Sequence, residues 1–302
     1  SAAAYNLPND SAIRRDHGSK NVMFKNVADA QSADLREKGI AAFYRPEDQD
    51  LIRRHGTTAR TWLVYLHEII GHGSGQPAAG LQDPDQQLGP VYSALEECRA
   101  DAVALYHFAD PKLVEIGAVS ASDHGDVTRA LYLQQLTSAL QVMGEVEGDL
   151  LRQAHDRGQV TLLRWLTQPG TDHGVQLATL DDRTYVQVRD LEKARAGVGA
   201  LLAKLQGFKS TGDRAGAEAF FAQFGTQVNP VWQKDVAARL AAMGRPKDTA
   251  YVFPQLVPVV ETQGERTTLK DVRLETRETF AEQMLRYKAW SKSRELAPVV
   301  PQ

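Results

Sequence analysis

Two histidines five positions apart, in His67-Glu68-Ile69-Ile70-Gly71-His72, and the acidic run Glu96-Glu97-Cys98-Arg99-Ala100-Asp101 constrain this chain more than any other feature. Together they offer two imidazoles, a carboxylate between them and further carboxylates from a second segment. That is the donor set of a catalytic zinc with one coordination position left to water. Zinc helices commonly carry their histidines four apart, on one face. A step of five turns the side chain by about 500°, leaving it about 140° from its partner, so a regular α-helix cannot bring both rings to one ion. A one-residue bulge of the π type closes the gap. Gly71, without a Cβ to crowd the turn, makes such a bulge cheap. The spacing predicts a local helix distortion at Ile70-Gly71.

The flanking residues place both clusters on helices. Arg60-Thr61-Trp62-Leu63-Val64-Tyr65-Leu66 is largely apolar and free of Gly and Pro, with Thr57 or Thr58 as N-cap after Gly56. This helix ends at Gly73-Ser74-Gly75, and a Gly/Pro/Gln/Asp-rich loop runs to Pro90 before Val91-Tyr92-Ser93-Ala94-Leu95 opens the next. On that second helix Glu97 and Asp101 are one turn apart and face the first together, with Glu96 about 100° around. One acid ligates and the others orient. Glu96 and Asp101 suit the task of accepting the outer ring N–H of a ligand histidine. Cys98 reads as a small buried hydrophobe, and Arg99 as a helix-surface or inter-helix ion-pair residue. His17, His55, His107, His124 and His173 read as solvent-side or capping residues.

His67–Gly75 and Glu96–Asp101 resemble the signature pair of the dipeptidyl peptidase III family of zinc metallopeptidases. The likeness extends, in the family's order, to Tyr5-Asn6-Leu7-Pro8-Asn9-Asp10, Lys20-Asn21-Val22, Gln153-Ala154-His155, Leu162-Leu163-Arg164 and the segment Leu205–Asp213. The resemblance implies one Zn²⁺ per chain, bound by His67, His72 and Glu97, with Glu68 as the general base acting on the zinc-bound water. It implies that His155 stabilises the transition state, that Asn6 and Asn9 hold the free N-terminus of the substrate, and that Arg239 lies near the substrate's C-terminal side. Read from the residues alone, His155 is a surface histidine, and Asn6 and Asn9 are turn residues around Pro8.

The function so implied is a zinc-dependent exopeptidase releasing dipeptides from the N-terminus of oligopeptides. There are departures from the family. The loop between the two metal clusters is shorter than in eukaryotic members, and the family protein has an N-terminal half that supplies a catalytic tyrosine and an acidic anchor. The chain begins about where that half would end. The alternative is therefore a metal-binding helical half that binds peptide or a missing N-terminal half and has little activity alone.

The remaining features set bounds. With 302 residues, 42% hydrophobic and 24% charged, the chain can bury a sizeable core. A net charge of −3 offers no basic stripe for nucleic acid, and no apolar run is long enough for a membrane span. A single Cys fits a reducing compartment, so the expected location is cytoplasmic, with the periplasm as the alternative. The fold class expected is mainly α (α+β), a helical zinc-peptidase catalytic domain with a β-hairpin and a few short strands. Three regions follow: 1–30 extended and packing with a β lobe, 31–243 the helical catalytic domain, and 244–302 a strand and helix packing back on it. Helical patterns fall at 31–38, 47–55, 58–72, 91–108, 124–143, 145–167, 189–207, 213–225, 230–243 and 273–292. Val175–Leu180 and Thr184–Val188 read as a hairpin, and Ala250–Glu261 as an edge strand.

Overall fold

The computed structural model describes residues 4–7, 13, 16–18, 20–23, 36–81, 83–146, 148, 150–244, 252–264, 266–275 and 277–294. The protein is mainly α with few strands and divides into two compact units, Ser1–Arg245 and Pro246–Gln302. The first unit opens with β1 (Ala4–Leu7) paired antiparallel to β2 (Lys20–Met23). Helices α1 (Arg36–Phe43) and α2 (Pro46–Leu66) lead into a π-helical turn, His67–Gly71. After it come α3 (Pro84–Leu88), a 3₁₀ turn (Gly89–Val91), α4 (Tyr92–Phe108), α5 (Lys112–Glu115), α6 (His124–Glu145) and α7 (Ala154–Leu166). The hairpin β3 (Val175–Leu180) and β4 (Arg183–Val188) precedes α8 (Leu191–Thr211), α9 (Arg214–Phe224) and α10 (Pro230–Met243). The second unit holds β5 (Gln255–Gln263), β6 (Arg266–Glu275) and α11 (Phe280–Arg294).

Two helices form the centre of the first unit. On α6, Val127, Ala130, Leu131, Leu133, Leu136, Leu140 and Met143 are no more than 1% exposed. A helix that is apolar all round must be enclosed, and α2, α7 and α10 enclose this one. On α4, Leu95, Cys98, Ala102, Ala104, Leu105 and Phe108 are wholly buried, against α2, α7, α8 and the π turn. Each fully buried Leu contributes about 2 kcal/mol, so the helices that carry the acidic and histidine clusters are held by the packed core.

Several boundaries differ from the sequence reading. The patterns at 47–55 and 58–72 are one helix through Gly56, whose Cβ position would lie 2.8 Å from Gln134 Nε2 of α6. Gly56 is thus a point of close helix approach, not a break, and neither Thr57 nor Thr58 is an N-cap. The helix starts at Pro46, whose missing N–H costs nothing there. The loop to Pro90 contains α3, started by Asp83 accepting from Asp85 N. The stretch 145–167 is helical only from Ala154, where Gln153 accepts from Asp156 N, and Leu150 pairs instead with Gln227. The β3–β4 hairpin turns on Asp181 and Asp182, with φ of 48° and 60°. Such a primed two-residue turn suits Asp. The expected edge strand is one arm of a hairpin: β5 pairs with β6, Pro258 lies opposite Val272, and Gly264 at φ 61° takes the turn. The last helix consequently begins at Phe280 rather than 273.

The π turn is where the five-residue spacing requires it, but Gly71 serves a further purpose. A Cβ on Gly71 would stand 2.8 Å from Ala100 Cβ and 2.9 Å from Ala100 Cα, so the turn lies flush on the α4 backbone. Gly71→Ala must push the turn off α4, and the expected loss is about 1–3 kcal/mol. Urea unfolding of the variant measures it; an unchanged midpoint would mean that the turn shifts freely and that the close packing carries no constraint.

Candidate metal centre

At the end of α2 the His72 N–H donates to His67 O at 2.9 Å, the five-residue closure of a π turn. The extra residue swings the two imidazoles onto the same side, with ring centroids 4.7 Å apart and planes at 87°. Across from them, Glu97 of α4 presents Oε2 at 3.2 Å from His67 Nε2 and 3.7 Å from His72 Nε2. One donor atom from each of the three residues lies within 4.8 Å of the others. Ligands about 2.1 Å from a common tetrahedral ion stand about 3.4 Å apart, so this set fits a divalent cation. Glu97 Oε2 is itself buried and makes no hydrogen bond, although imidazole nitrogens lie around it at ion-pair distance. A buried carboxylate oxygen without a donor is what a metal would satisfy.

The other face of each ring is held from behind. His67 Nδ1 lies 2.8 Å from Asp101 Oδ1, and His72 Nδ1 lies 3.4 Å from Glu96 Oε1. Both Nδ1 atoms thus point outward to carboxylates, which leaves the Nε2 atoms to face Glu97. Asp101 is fixed in turn by Gln135 of α6, whose Nε2 donates to Oδ2 at 2.6 Å. Glu96 accepts from Arg99 Nε at 3.0 Å and NH2 at 2.7 Å, and from Lys209 Nζ of α8 at 2.9 Å. Arg99 NH2 also donates to Gly71 O at 2.5 Å, closing the π turn onto α4.

The electrostatics follow from this crowding. Burial alone would raise the Glu96 carboxyl, but His72, Arg99 and Lys209 hold it far below the usual range. Burial likewise opposes ionisation of Glu97, and His155 and His67 beside it overcome that. For His67, burial works against the proton, yet Asp101 and Glu97 raise its pKa to about 10 in the metal-free chain. A cation entering here displaces a proton.

The other sequence-predicted residues are distributed as follows. Glu68 lies in the π turn, next to His67, and is half-buried. His155, on the first turn of α7, reaches the centre: its Nδ1 is 3.0 Å from Glu97 Oε2 and its side chain is 54% exposed. Glu97 raises the His155 pKa, against the opposing effect of burial. Asn6 is in β1, paired with Asn21, and β1 runs against the π turn. Asn9 lies outside the described residues. Arg239 is 6% exposed on α10, with NH1 donating to Ala42 O and NH2 to Thr184 O and Asp235 Oδ2. Its guanidinium lies over the Phe43 ring, joining α10 to α1 and β4. Arg99 is not a helix-surface residue, being 1% exposed. Cys98 is fully buried, with its thiol pushed up by that burial. Gln135 and Lys209 were not singled out as site residues. The available signals were a polar residue within the apolar run of α6 and the lysine inside the segment Leu205–Asp213.

The sequence pattern of peptidase family M49 matches residues 2–83 and 79–249. The chain belongs to that family. Dipeptidyl peptidase 3 of Homo sapiens is 31% identical over 261 residues, covering 74% of this chain and 35% of its own length. Among solved M49 relatives, the dipeptidyl-peptidase III from Corallococcus sp. strain EGB superposes with a TM-score of 0.65 at 29% identity, over 80% of this chain and 41% of that one. The DPP III from Caldithrix abyssi gives 0.61 at 24% identity, over 79% and 42%, and shows the same fold. The chain spans about a third of the length of the human relative it matches.

Arg99 is the member of the M49 site whose loss reaches furthest, since it holds both Glu96 and Gly71 O. Arg99→Leu strips a buried carboxylate of its fork and leaves it Lys209 and the longer contact to His72. The expected destabilisation is about 3 kcal/mol, read from denaturant unfolding; a loss within the range of an ordinary surface change would show that Lys209 suffices.

Proposed function

We propose that the chain is the catalytic portion of a zinc-dependent exopeptidase that releases dipeptides from the N-terminus of oligopeptides. The observation that carries the reading is the gathering of one donor atom each from His67, His72 and Glu97 within 4.8 Å of one another, within a chain of family M49. His67, His72 and Glu97 would hold the ion, and zinc suits two imidazoles and a carboxylate with one position open. When bound, it supplies a Lewis acid that polarises the peptide carbonyl and brings the pKa of a water down to about 7.

The residues divide the remaining work. Glu68, beside a ligand on a rigid turn, takes the proton of the attacking water and returns it to the leaving amine. His155, half-exposed at the mouth of the site and with its pKa raised, donates to the developing oxyanion, a contribution of about 3 kcal/mol for such a donor. Asn6 and Asn9 hold the free amino terminus of the peptide, which sets the cut two residues in; the passage of β1 along the π turn supports Asn6 in that role. Asp101 and Glu96 orient the histidines.

A second reading is favoured by the second unit and the relatives' length. On the β5–β6 hairpin Leu256, Val260, Leu269, Val272 and Leu274 are all exposed, and a two-stranded hairpin is marginal without further cover. With only about a third of the human relative's length matched, the chain would then be a metal-holding helical portion that requires additional sequence for turnover. No helix among the described residues is long and apolar enough to cross a membrane.

Two measurements test these readings. Glu68→Gln is expected to keep its zinc by metal analysis and to lose about 10²–10⁴-fold in hydrolysis of a dipeptidyl-arylamide. Hydrolysis at the unsubstituted rate, or full activity in excess chelator, would overturn the base and metal assignments. The 302-residue chain itself is expected to cleave free but not N-acetylated peptides; zinc uptake without turnover would decide for the second reading.

A further inference from the structure

Lys209 is a buried cation that the chemistry above does not use. It is 6% exposed, near the C-terminal end of α8, and its Nζ is 2.9 Å from Glu96 Oε2. Glu96 does not need it for charge balance. Arg99 already grips both carboxylate oxygens, NH2 at 2.7 Å from Oε1 and Nε at 3.0 Å from Oε2. Desolvating a second ammonium costs several kcal/mol, so neutralising Glu96 does not account for its burial.

The division of the two oxygens does. Oε2 takes Arg99 Nε and Lys209, while Oε1 takes Arg99 NH2 and faces His72 Nδ1 at 3.4 Å. That last contact is the longest in the outer layer, against 2.8 Å for His67 to Asp101. Its geometry depends on where the carboxylate is pulled. On the His67 side the pull comes from the neutral amide of Gln135; on the His72 side it comes from a charge on a different helix. The same turns of α8 also hold the chain just after His72. Ala78 N donates to Ser210 O at 2.9 Å, and Gln76 O accepts from Gln206 Nε2 at 3.4 Å and Ser210 Oγ at 3.3 Å. The segment from Gln206 to Ser210 therefore grips both the loop leaving His72 and the carboxylate behind its ring.

We propose that Lys209 is a positioning residue of the metal centre, acting through Glu96 to fix the His72 ring for metal binding. This rests on the reading of His67, His72 and Glu97 as the ligands. It gives the segment Leu205–Asp213, which no step of the chemistry required, a defined task.

The test is a double-mutant cycle on the full chain, comparing unsubstituted protein, Lys209→Met, Glu96→Gln and the double variant. Zinc affinity is measured by chelator competition and the ligand field by the visible d–d bands of the Co²⁺-loaded forms. Each single variant is expected to lose about 10-fold in affinity and to shift the Co²⁺ bands. The double variant is expected to bind no more weakly than Glu96→Gln, because Lys209 has nothing to act through once the carboxylate is gone. Losses that multiply in the double variant, or a Lys209→Met protein with unchanged affinity and spectrum, would overturn the proposal. If Lys209→Met does not fold, Lys209→Gln, which keeps a donor but removes the charge, is read in its place, and unchanged affinity and spectrum in it would overturn the proposal. Failure of the underlying ligand assignment is separately visible, as zinc binding by the unsubstituted chain that survives Glu97→Gln.

Discussion

The centre depends on one local departure from helical geometry and on what keeps it in place. A π turn gives up regular backbone hydrogen bonding, and nothing in the run His67-Glu68-Ile69-Ile70-Gly71 favours it intrinsically apart from the glycine. It persists because its far side is fixed: Gly71 lies on the Ala100 backbone, and Gly71 O accepts from the buried Arg99. That arginine is anchored by Glu96, one residue from Glu97 on the same helix. The imidazoles and the facing carboxylate are therefore located by one polar cross-tie between α2 and α4. A buried ion pair contributes little net stability; its value here is that any other register would cost Arg99 its bonds to Gly71 O and the Ser74 hydroxyl, and Glu96 its contact with His72.

Charge explains the rest of the arrangement. Three carboxylates, Glu96, Glu97 and Asp101, are assembled on one stretch of helix at low exposure, and only Arg99 and Lys209 are permanent cations among the polar contacts described for them. The histidines make up the balance in the metal-free chain, His67 with a pKa of about 10 and His155 with a raised one. Proton and metal thus compete for the same negative field. A divalent ion bound there would replace that borrowed charge.

Much of this was legible in the sequence, and what was not has identifiable causes. The spacing of His67 and His72 fixed the distortion because helix periodicity allows no other way to bring them together. The hairpin at Asp181-Asp182 and the helices from 191 onward are signalled by local caps such as Asp190, Asp213 and Asn229. Most of the failures are tertiary. Gly56 looks like a break until Gln134 is seen against it, and the sequence leaves Arg99 open between a surface and an inter-helix residue because its partners are Glu96, Gly71 O and the Ser74 hydroxyl, two of them beyond its own helix. Arg239, placed near the substrate by likeness, is taken up by Asp235 and two carbonyl groups of the fold. The strand β6 is polar along most of its length and fully exposed, so its period was not visible.

Holding a metal and turning over a peptide would draw on different parts of this molecule. The three donors come from the π turn and α4, and their supports come from α4, α6 and α8, all within the first unit. Ion binding would thus be a property of a packed helical core, where each contact is enforced by close packing. The groups that would meet a peptide are on other elements: His155 at the exposed start of α7, and Asn6 on a short strand whose ladder has only four residue pairs. Such a strand needs further partners for its remaining edge. The physical expectation is a tight metal site joined to a substrate cleft whose order depends on whatever else covers it.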